Sequence, residues 1–373
     1  MATRNFLTPL DDYLSHQMPE TIASVYTSDP NFFERYYFGM MNTDLASFMM
    51  VTMAVYPNRG FKEAAVGFVH EGREYVVRAS THLNDDRFDT TIGPITVQVI
   101  EGLKKLRIAV GPNQWGLRCD VTFEGRHVPH LETRNYSESG TRVTQNYLRF
   151  TQLGRYTGTV NVAGKDIEIT PGTWLGQRDH SWGIRPSGPP DRNHAFAQSD
   201  LRATGHLWTW APMQFSDYSL LWSVTENGSG QLLKGAGAIL YPQGSSVEQV
   251  PAVTYDHKLQ FKSGTRKIKS GEISMVDENG KEWTISIRPG VTFYMSTVGY
   301  GGPWAQGTYK GDNQVDGAIL DLSDPKVIAE IDGLVESACE FRCGDDVGYG
   351  AFEILAIPPL PRYGFTPDHP VAD

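Results

Sequence analysis

Gln145-Asn146-Tyr147-Leu148-Arg149-Phe150-Thr151-Gln152-Leu153-Gly154-Arg155-Tyr156-Thr157-Gly158-Thr159 runs on through Val160-Asn161-Val162 into the turn Ala163-Gly164-Lys165, and Asp166-Ile167-Glu168-Ile169 follows. Aromatic and β-branched residues recur along the whole stretch, and the only break is a short turn, so it reads as two long strands lying against each other. Antiparallel strands in immediate succession favour a barrel or sandwich over a parallel α/β sheet.

The same texture extends outward in both directions. Upstream, strand-like runs span Phe48 to Tyr56, Ala64 to His70, Glu74 to Arg78, Ile95 to Ile100, Lys105 to Val110 and Leu117 to Phe123. Gly111-Pro112-Asn113 and Glu124-Gly125 supply turns between them, which gives the spacing of a meander. Downstream, His194 to Ser199, Gly205 to Ala211, Ser219 to Thr225, Gly235 to Tyr241, Ala252 to Phe261, Gly271 to Val276, Trp283 to Ile287 and Thr292 to Thr297 repeat the pattern. Asp277-Glu278-Asn279-Gly280 is a strong hairpin turn between two of these.

Helical signals are few. Pro325 to Leu334 reads as a helix, with Asp324 as N-cap and Pro325 at the first helical position. Leu10 to His16 and Asn31 to Met40 have helix-like content and make the first residues a packed arm. Pro186-Ser187-Gly188-Pro189-Pro190-Asp191 is the densest proline and glycine punctuation in mid-chain, and the domain boundary is placed there. The expected organisation is an N-terminal arm over 1–46, a first β-domain over 47–186 and a second over 187–373. A chain of 373 residues is more than one hydrophobic core usually serves, which fits two domains.

Composition excludes several classes of function. With 33 basic against 43 acidic side chains the formal charge is −10, so nucleic acid and anionic lipid are not expected partners. The one basic cluster, Lys262 to Lys269, reads as a solvated hairpin face. Cys119, Cys339 and Cys343 form neither a disulfide framework nor a zinc pattern, which fits reduced thiols and a cytoplasmic protein. No secretory signal opens the chain, and no apolar run is long enough to span a membrane. Gly228-Ser229-Gly230 lacks the setting of a hydrolase nucleophile, and no glycine-rich dinucleotide fingerprint follows a strand. Tyr255-Asp256-His257 and Trp304 to Tyr309 read as turn and edge-strand residues.

Chemistry concentrates in Trp174-Leu175-Gly176-Gln177-Arg178-Asp179-His180-Ser181-Trp182-Gly183-Ile184-Arg185. On a strand, Arg178, His180 and Trp182 share one face, and Asp179 and Ser181 take the other. An imidazole beside an indole in an apolar cavity can pass protons, and the indole face can attract a developing cation. The structural alternative is a staple between domains, in which Asp179 pairs with an arginine and the tryptophans are core. His206, Trp208 and Trp210 alternate along one later strand and so also share a face. Asp179, His180, His194 and His206 are close in sequence, but no metal-binding motif accompanies them, and neither a metal nor another cofactor is expected.

The run ending Asp179-His180-Ser181-Trp182-Gly183, followed by Trp208-Thr209-Trp210 and supported by Gly348-Tyr349-Gly350 and Glu353, resembles one known group. It is the two-domain lipocalin-like family of acyclic carotenoid 1,2-hydratases, prenyl-phenolic hydratases and related Diels-Alder cyclases. The resemblance implies an all-β fold of two lipocalin-like antiparallel barrels or sandwiches packed together, with a few short helices. It also implies a catalytic role for His180 and Trp182. An acid used by those enzymes lies two positions after a tyrosine, and its nearest counterpart is Asp217 after Phe215, with Asp179 as a competing proton donor. Trp174, Arg178, His206, Trp208, Trp210 and Phe215 are the expected substrate-binding residues.

The activity implied is cofactor-free hydration or dehydration at a carbon-carbon double bond of an apolar, isoprenoid-bearing small molecule. Such an acid must hold its proton near neutral pH, which burial among apolar groups achieves. The alternatives are a pericyclic cyclase or isomerase in the same pocket, and a carrier of lipids, steroids or terpenoids without turnover. The pocket is expected at or near the junction of the two sheets.

Overall fold

The computed structural model describes residues 7–188 and 201–373. The strand expected at His194 to Ser199, and most of the proline-rich stretch before it, lie outside the described residues. In chain order the strands of the first half are β1 (Phe32–Asn42), β2 (Phe48–Tyr56), β3 (Phe61–His70), β4 (Arg73–His82), β5 (Thr91–Ile92), β6 (Ile95–Glu101) and β7 (Lys105–Val110). They continue with β8 (Leu117–Gly125), β9 (His130–Leu131), β10 (Asn135–Ser139), β11 (Arg142–Val162), β12 (Lys165–Ile169) and β13 (Trp174–Ile184). After a short helix α1 (Leu201–Thr204) come β14 (His206–Gln214), β15 (Ser219–Asn227), β16 (Leu232–Leu240), β17 (Gln249–Phe261), β18 (Ile268–Asp277) and β19 (Glu282–Tyr294). The chain closes with β20 (Gln314–Asp321), helix α2 (Pro325–Ile331), β21 (Val335–Cys343) and β22 (Asp346–Ile357).

The all-β expectation holds, and the strands fall into two bodies. One is a curled sheet in the order β20-β4-β3-β2-β1-β13-β11-β8-β7-β6-β5, with β9, β10 and β12 against β11. The other is a closed barrel, β14-β15-β16-β17-β18-β19-β21-β22. Closure removes the exposed edges that an open sheet leaves. The stretch Gln145 to Ile169 is indeed a pair of antiparallel strands: β11 turns through Ala163 and Gly164 into β12, with Val162 opposite Lys165. Strand β11 links β13 to β8 in the sheet, with Asn146 to Arg155 against β13 and Gly154 to Val162 against β8.

Asn31 to Met40, read from its content as helix-like, is the strand β1, paired with β13 on one side and β2 on the other. Its residues are buried on both faces, with Phe38 and Met40 in the core of the first sheet and Tyr37 and Met41 against the barrel. A strand covered on both sides loses the polar alternation that would mark it, so its run of apolar residues mimics other elements. Leu10 to His16 is not a helix either; a single 3-10 turn spans Pro9–Asp12. Helix α2 begins as expected, with the Asp324 side chain accepting from the Lys326 N–H at 2.8 Å. Among the described residues no helix is long and apolar enough to cross a membrane.

Three apolar regions hold these bodies. The first sheet encloses Phe38, Met49, Val66, Phe123, Tyr156 and Trp174, and the barrel encloses Leu207, Met213, Trp222, Ile273, Phe341 and Phe352. Between them runs a seam of Tyr37, Phe48, Met50, Trp210, Phe293 and Ala351, extended by Leu153, Leu221 and Leu240. Each large apolar side chain buried there contributes about 1.5–3 kcal/mol. The Gln214 Nε2 donates to Gly154 O at 2.9 Å and Gly176 O at 2.8 Å, tying the barrel to the first sheet. Close approach requires glycine at 176: a Cβ there would lie 2.0 Å from Gly39 O.

A candidate active site in the seam between the sheets

Strand β13 divides its functional residues between two faces, as alternation demands. Arg178, His180 and Trp182 share the face that carries Trp174 into the first core. Arg178 is buried, with its guanidinium 4.8 Å from the Phe150 ring centre and its Nε donating to Gln152 Oε1 at 2.9 Å. Burial pushes its pKa down to about 10. The His180 ring lies 4.6 Å from Tyr36, 5.5 Å from Phe150 and 5.4 Å from Trp182. Its Nε2 is 2.9 Å from Oε1 of the half-exposed Glu34. Desolvation works to raise the Glu34 carboxyl, but the hydrogen bond and charge of His180 hold it below its ordinary range.

The opposite face of β13 looks into the seam. Gln177 donates through Nε2 to the Tyr37 hydroxyl at 3.0 Å and to Glu336 Oε1 at 3.3 Å. Tyr37 in turn donates to the Glu336 carboxyl, with its oxygen 2.7 and 2.6 Å from the two carboxyl oxygens. Asp179 is flanked across the ladder by Tyr37 on β1 and Thr151 on β11, and its Oδ2 is 4.0 Å from Arg149 Nη1. Arg149 grips Glu132 with both Nε and Nη2, at 2.9 and 2.6 Å, and lies 5.6 Å from the centre of the Trp210 ring and 5.9 Å from Trp208. Asp179 thus faces an arginine of its own sheet, and the pair lies in the seam without tying the first sheet to the barrel.

The barrel contributes two acids to this seam. Glu336 on β21 and Glu353 on β22 are opposite each other in the ladder. Burial, followed by the neighbouring Glu353, raises the Glu336 carboxyl well above its ordinary value. Burial raises Glu353 to about 7, against the lowering effects of the Trp208 indole N–H, which donates to Oε1 at 2.5 Å, and of Arg149. Asp179 is raised as well, by burial first, with Arg149 and Arg35 opposing. Three carboxyl groups thus share one desolvated site in which they cannot all ionise cheaply. A cavity of about 10 Å³, room for about one water molecule, opens between His130, Glu132, Trp210, Leu221, Ser223 and Gly237, a lining that includes none of the three carboxyl groups.

The structure brings Asp179, Trp208 and Trp210 together in this seam, with His206 on the same face of β14. His206 is half-buried at the start of that strand, opposite Asn227 and Ile357, and burial lowers its pKa. His180, Trp182 and Arg178 lie on the reverse side of β13, so the expected site residues do not form one group. Trp174 is in the first core, and Phe215 is in the barrel core, stacked on Tyr218 at 4.8 Å. Asp217 sits on the exposed turn after β14, outside the apolar surroundings the expected acid requires. Among the described residues no three His, Cys, Asp or Glu side chains are placed to share a metal ion. His194 lies outside the described residues.

Glu336, Tyr37, Arg35, Arg149 and Glu132 were not legible as site residues. The available signal was an acid inside an otherwise apolar strand, as in Val335-Glu336-Ser337-Ala338-Cys339 and Ala351-Phe352-Glu353-Ile354-Leu355. Such acids are rarely fully buried without a specific reason.

The fold is similar to that of a protein provisionally named AttH from Nitrosomonas europaea. That structure is 14% identical, with a TM-score of 0.52, over 94% of this chain and all of the other. Two further solved structures are similar at lower scores. Kievitone hydratase from Nectria haematococca is 13% identical over 87% of this chain and 88% of its own, with a TM-score of 0.48. CghA is 10% identical over 88% and 89%, with a TM-score of 0.49. The all-β fold of two packed antiparallel bodies expected from the sequence is the fold found, and the AttH structure is similar to it. Residues 7–366 match a family of unknown function, DUF8625, and the chain belongs to that family. No curated protein matches the sequence.

Proposed function

We propose that the chain is a cofactor-free, acid-catalysing enzyme that adds water to, or removes it from, a carbon-carbon double bond of an apolar, isoprenoid-bearing small molecule. The observation that supports this most is the ladder pair Glu336 and Glu353, buried together with Glu353 titrating at about 7. A carboxyl poised near neutral pH is half protonated under working conditions, as a general acid must be. In this reading Glu353 delivers its proton to the alkene carbon, and Trp208, half-buried beside it, faces the tertiary cation. Water adds to the cation and returns a proton to the carboxylate, so the acid is regenerated. Asp179 and Arg149 set the local field. In this reading the seam opens on binding to admit the substrate, because the cavity present is smaller than such a molecule.

The test is conversion of an acyclic isoprenoid alkene in ¹⁸O-labelled water by purified protein, with product read by mass spectrometry. Glu353→Gln should lower the rate by about 10²-fold or more, whereas Asp217→Asn should leave it unchanged. Full activity of Glu353→Gln would overturn the acid assignment. If His180→Ala alone abolished turnover, the reaction would belong to the reverse face of β13. Cyclisation of a polyene surviving every carboxyl substitution would favour a pericyclic enzyme.

A further inference from the structure

Arg35, on β1, points into the same seam and is only 3% exposed. Its Nη1 donates to the Tyr300 hydroxyl at 2.8 Å, and its guanidinium lies 4.5 Å from the centre of the Tyr300 ring. Its Nε and Nη2 have no hydrogen-bond partner. Those two nitrogens form one edge of the guanidinium, and elsewhere in this chain the same edge clasps carboxylates. Arg149 holds Glu132 with it at 2.9 and 2.6 Å, and Arg107 holds Asp120 at 2.7 and 2.6 Å.

Arg35 and Arg149 are placed symmetrically about β13, since each stands opposite Ser181 in its own ladder. Arg149 is hydrogen-bonded to an acid of the protein, whereas Arg35 meets the charges of Asp179, Glu63 and Glu353 without a hydrogen bond to any of them. Among the described residues no carboxylate lies within ion-pair distance of Arg35. Among the described residues Asp179, on the same face, has Arg149 as its ion-pair partner, at 4.0 Å. Leaving two N–H groups of a buried cation unmatched opposes folding, so a partner that brought two acceptor oxygens to them would be bound favourably.

We propose that Arg35 is the carboxylate-binding residue of the seam, and that the ligand is an apolar, isoprenoid-type molecule ending in a carboxylate held by Nε and Nη2. The apolar body then extends along Trp208 and Trp210. A planar carboxylate matches the fork that Arg35 offers, which an alcohol or an ester cannot do. The inference rests on the proposal that the seam is the ligand site, but not on the reaction assigned to it.

Binding of farnesoic acid and of its methyl ester at pH 7, followed by tryptophan fluorescence and by thermal shift, tests it. The wild-type protein should bind the acid at least tenfold more tightly than the ester. Arg35→Gln should reduce the acid to the affinity of the ester, and Arg35→Lys should keep part of the preference. Equal binding of acid and ester by the wild type, binding of neither, or a preference that survives Arg35→Gln overturns the proposal. The wild-type comparison decides the matter even if the variant fails to fold. Glu353→Gln should retain the preference for the acid, so a chain that prefers the acid but does not hydrate it would refute the reaction and leave this site standing.

Discussion

Replacing Glu353 by glutamine should change how stability depends on pH. The Glu353 carboxyl titrates near 7 in the folded chain against an ordinary value of 4.5. Below about 4.5 it is protonated whether folded or unfolded and contributes no pH dependence. Between about 4.5 and 7 the unfolded chain releases this proton while the folded chain keeps it, so folding stability falls as pH rises. Each pH unit corresponds to about 1.4 kcal/mol, and an interval of roughly two and a half units gives about 3 kcal/mol lost by pH 8 relative to pH 4.5. Glutamine keeps an oxygen for the Trp208 N–H and carries no titrating proton. Urea unfolding followed by tryptophan fluorescence at several pH values between 4.5 and 8 should show this slope in the wild type and a reduction of it by about that amount in Glu353→Gln. Parallel curves for the two proteins would mean that Glu353 is not desolvated as described.

Glu353→Gln should move the titration of Glu336 downward, because the carboxylate that opposes its ionisation would be gone; carboxyl chemical shifts against pH would record it. Glu132→Gln should cost about 3–5 kcal/mol of stability, since Arg149 would remain buried with its bidentate partner gone, and chemical unfolding measures this. Gly176→Ala should lower stability by about 3 kcal/mol, because its Cβ would meet the Gly39 carbonyl, which is backbone and cannot swing aside. A wild-type unfolding midpoint for Gly176→Ala would show that β1 and β13 can separate without cost.

Turn chemistry and strand texture made most of the fold readable in the sequence. The hairpin through Ala163-Gly164, the Asp277 to Gly280 turn and the Asp324 cap carry local instructions that the tertiary structure does not overrule. Strand β1 was misread because burial on both faces erases the period of two on which strand recognition depends. The site was legible only along β13 and β14. Alternation along β13 divided Asp179 from His180 correctly, and alternation along β14 placed Trp208 beside Trp210. The acids opposite them come from β21 and β22, more than a hundred residues downstream, and no local spacing relates such residues. Asp217 was selected by a linear offset from Phe215, whereas burial is a property of the fold, and the turn after β14 happens to face water.

Strand β20 bears on how the chain is made. It pairs along its whole length with β4, Gln314 opposite Ser80 through Asp321 opposite Arg73, although β14 to β19 of the barrel lie between them in the chain. During synthesis at about 5–20 residues per second, β4 must wait on the order of ten seconds or more for that partner to emerge. Through that interval an edge containing Tyr75, Val76 and Val77 is open to pairing with any other nascent strand. Misassembly of this protein should therefore begin at β4, and a late-acting holdase that shields it would raise the yield of folded chain.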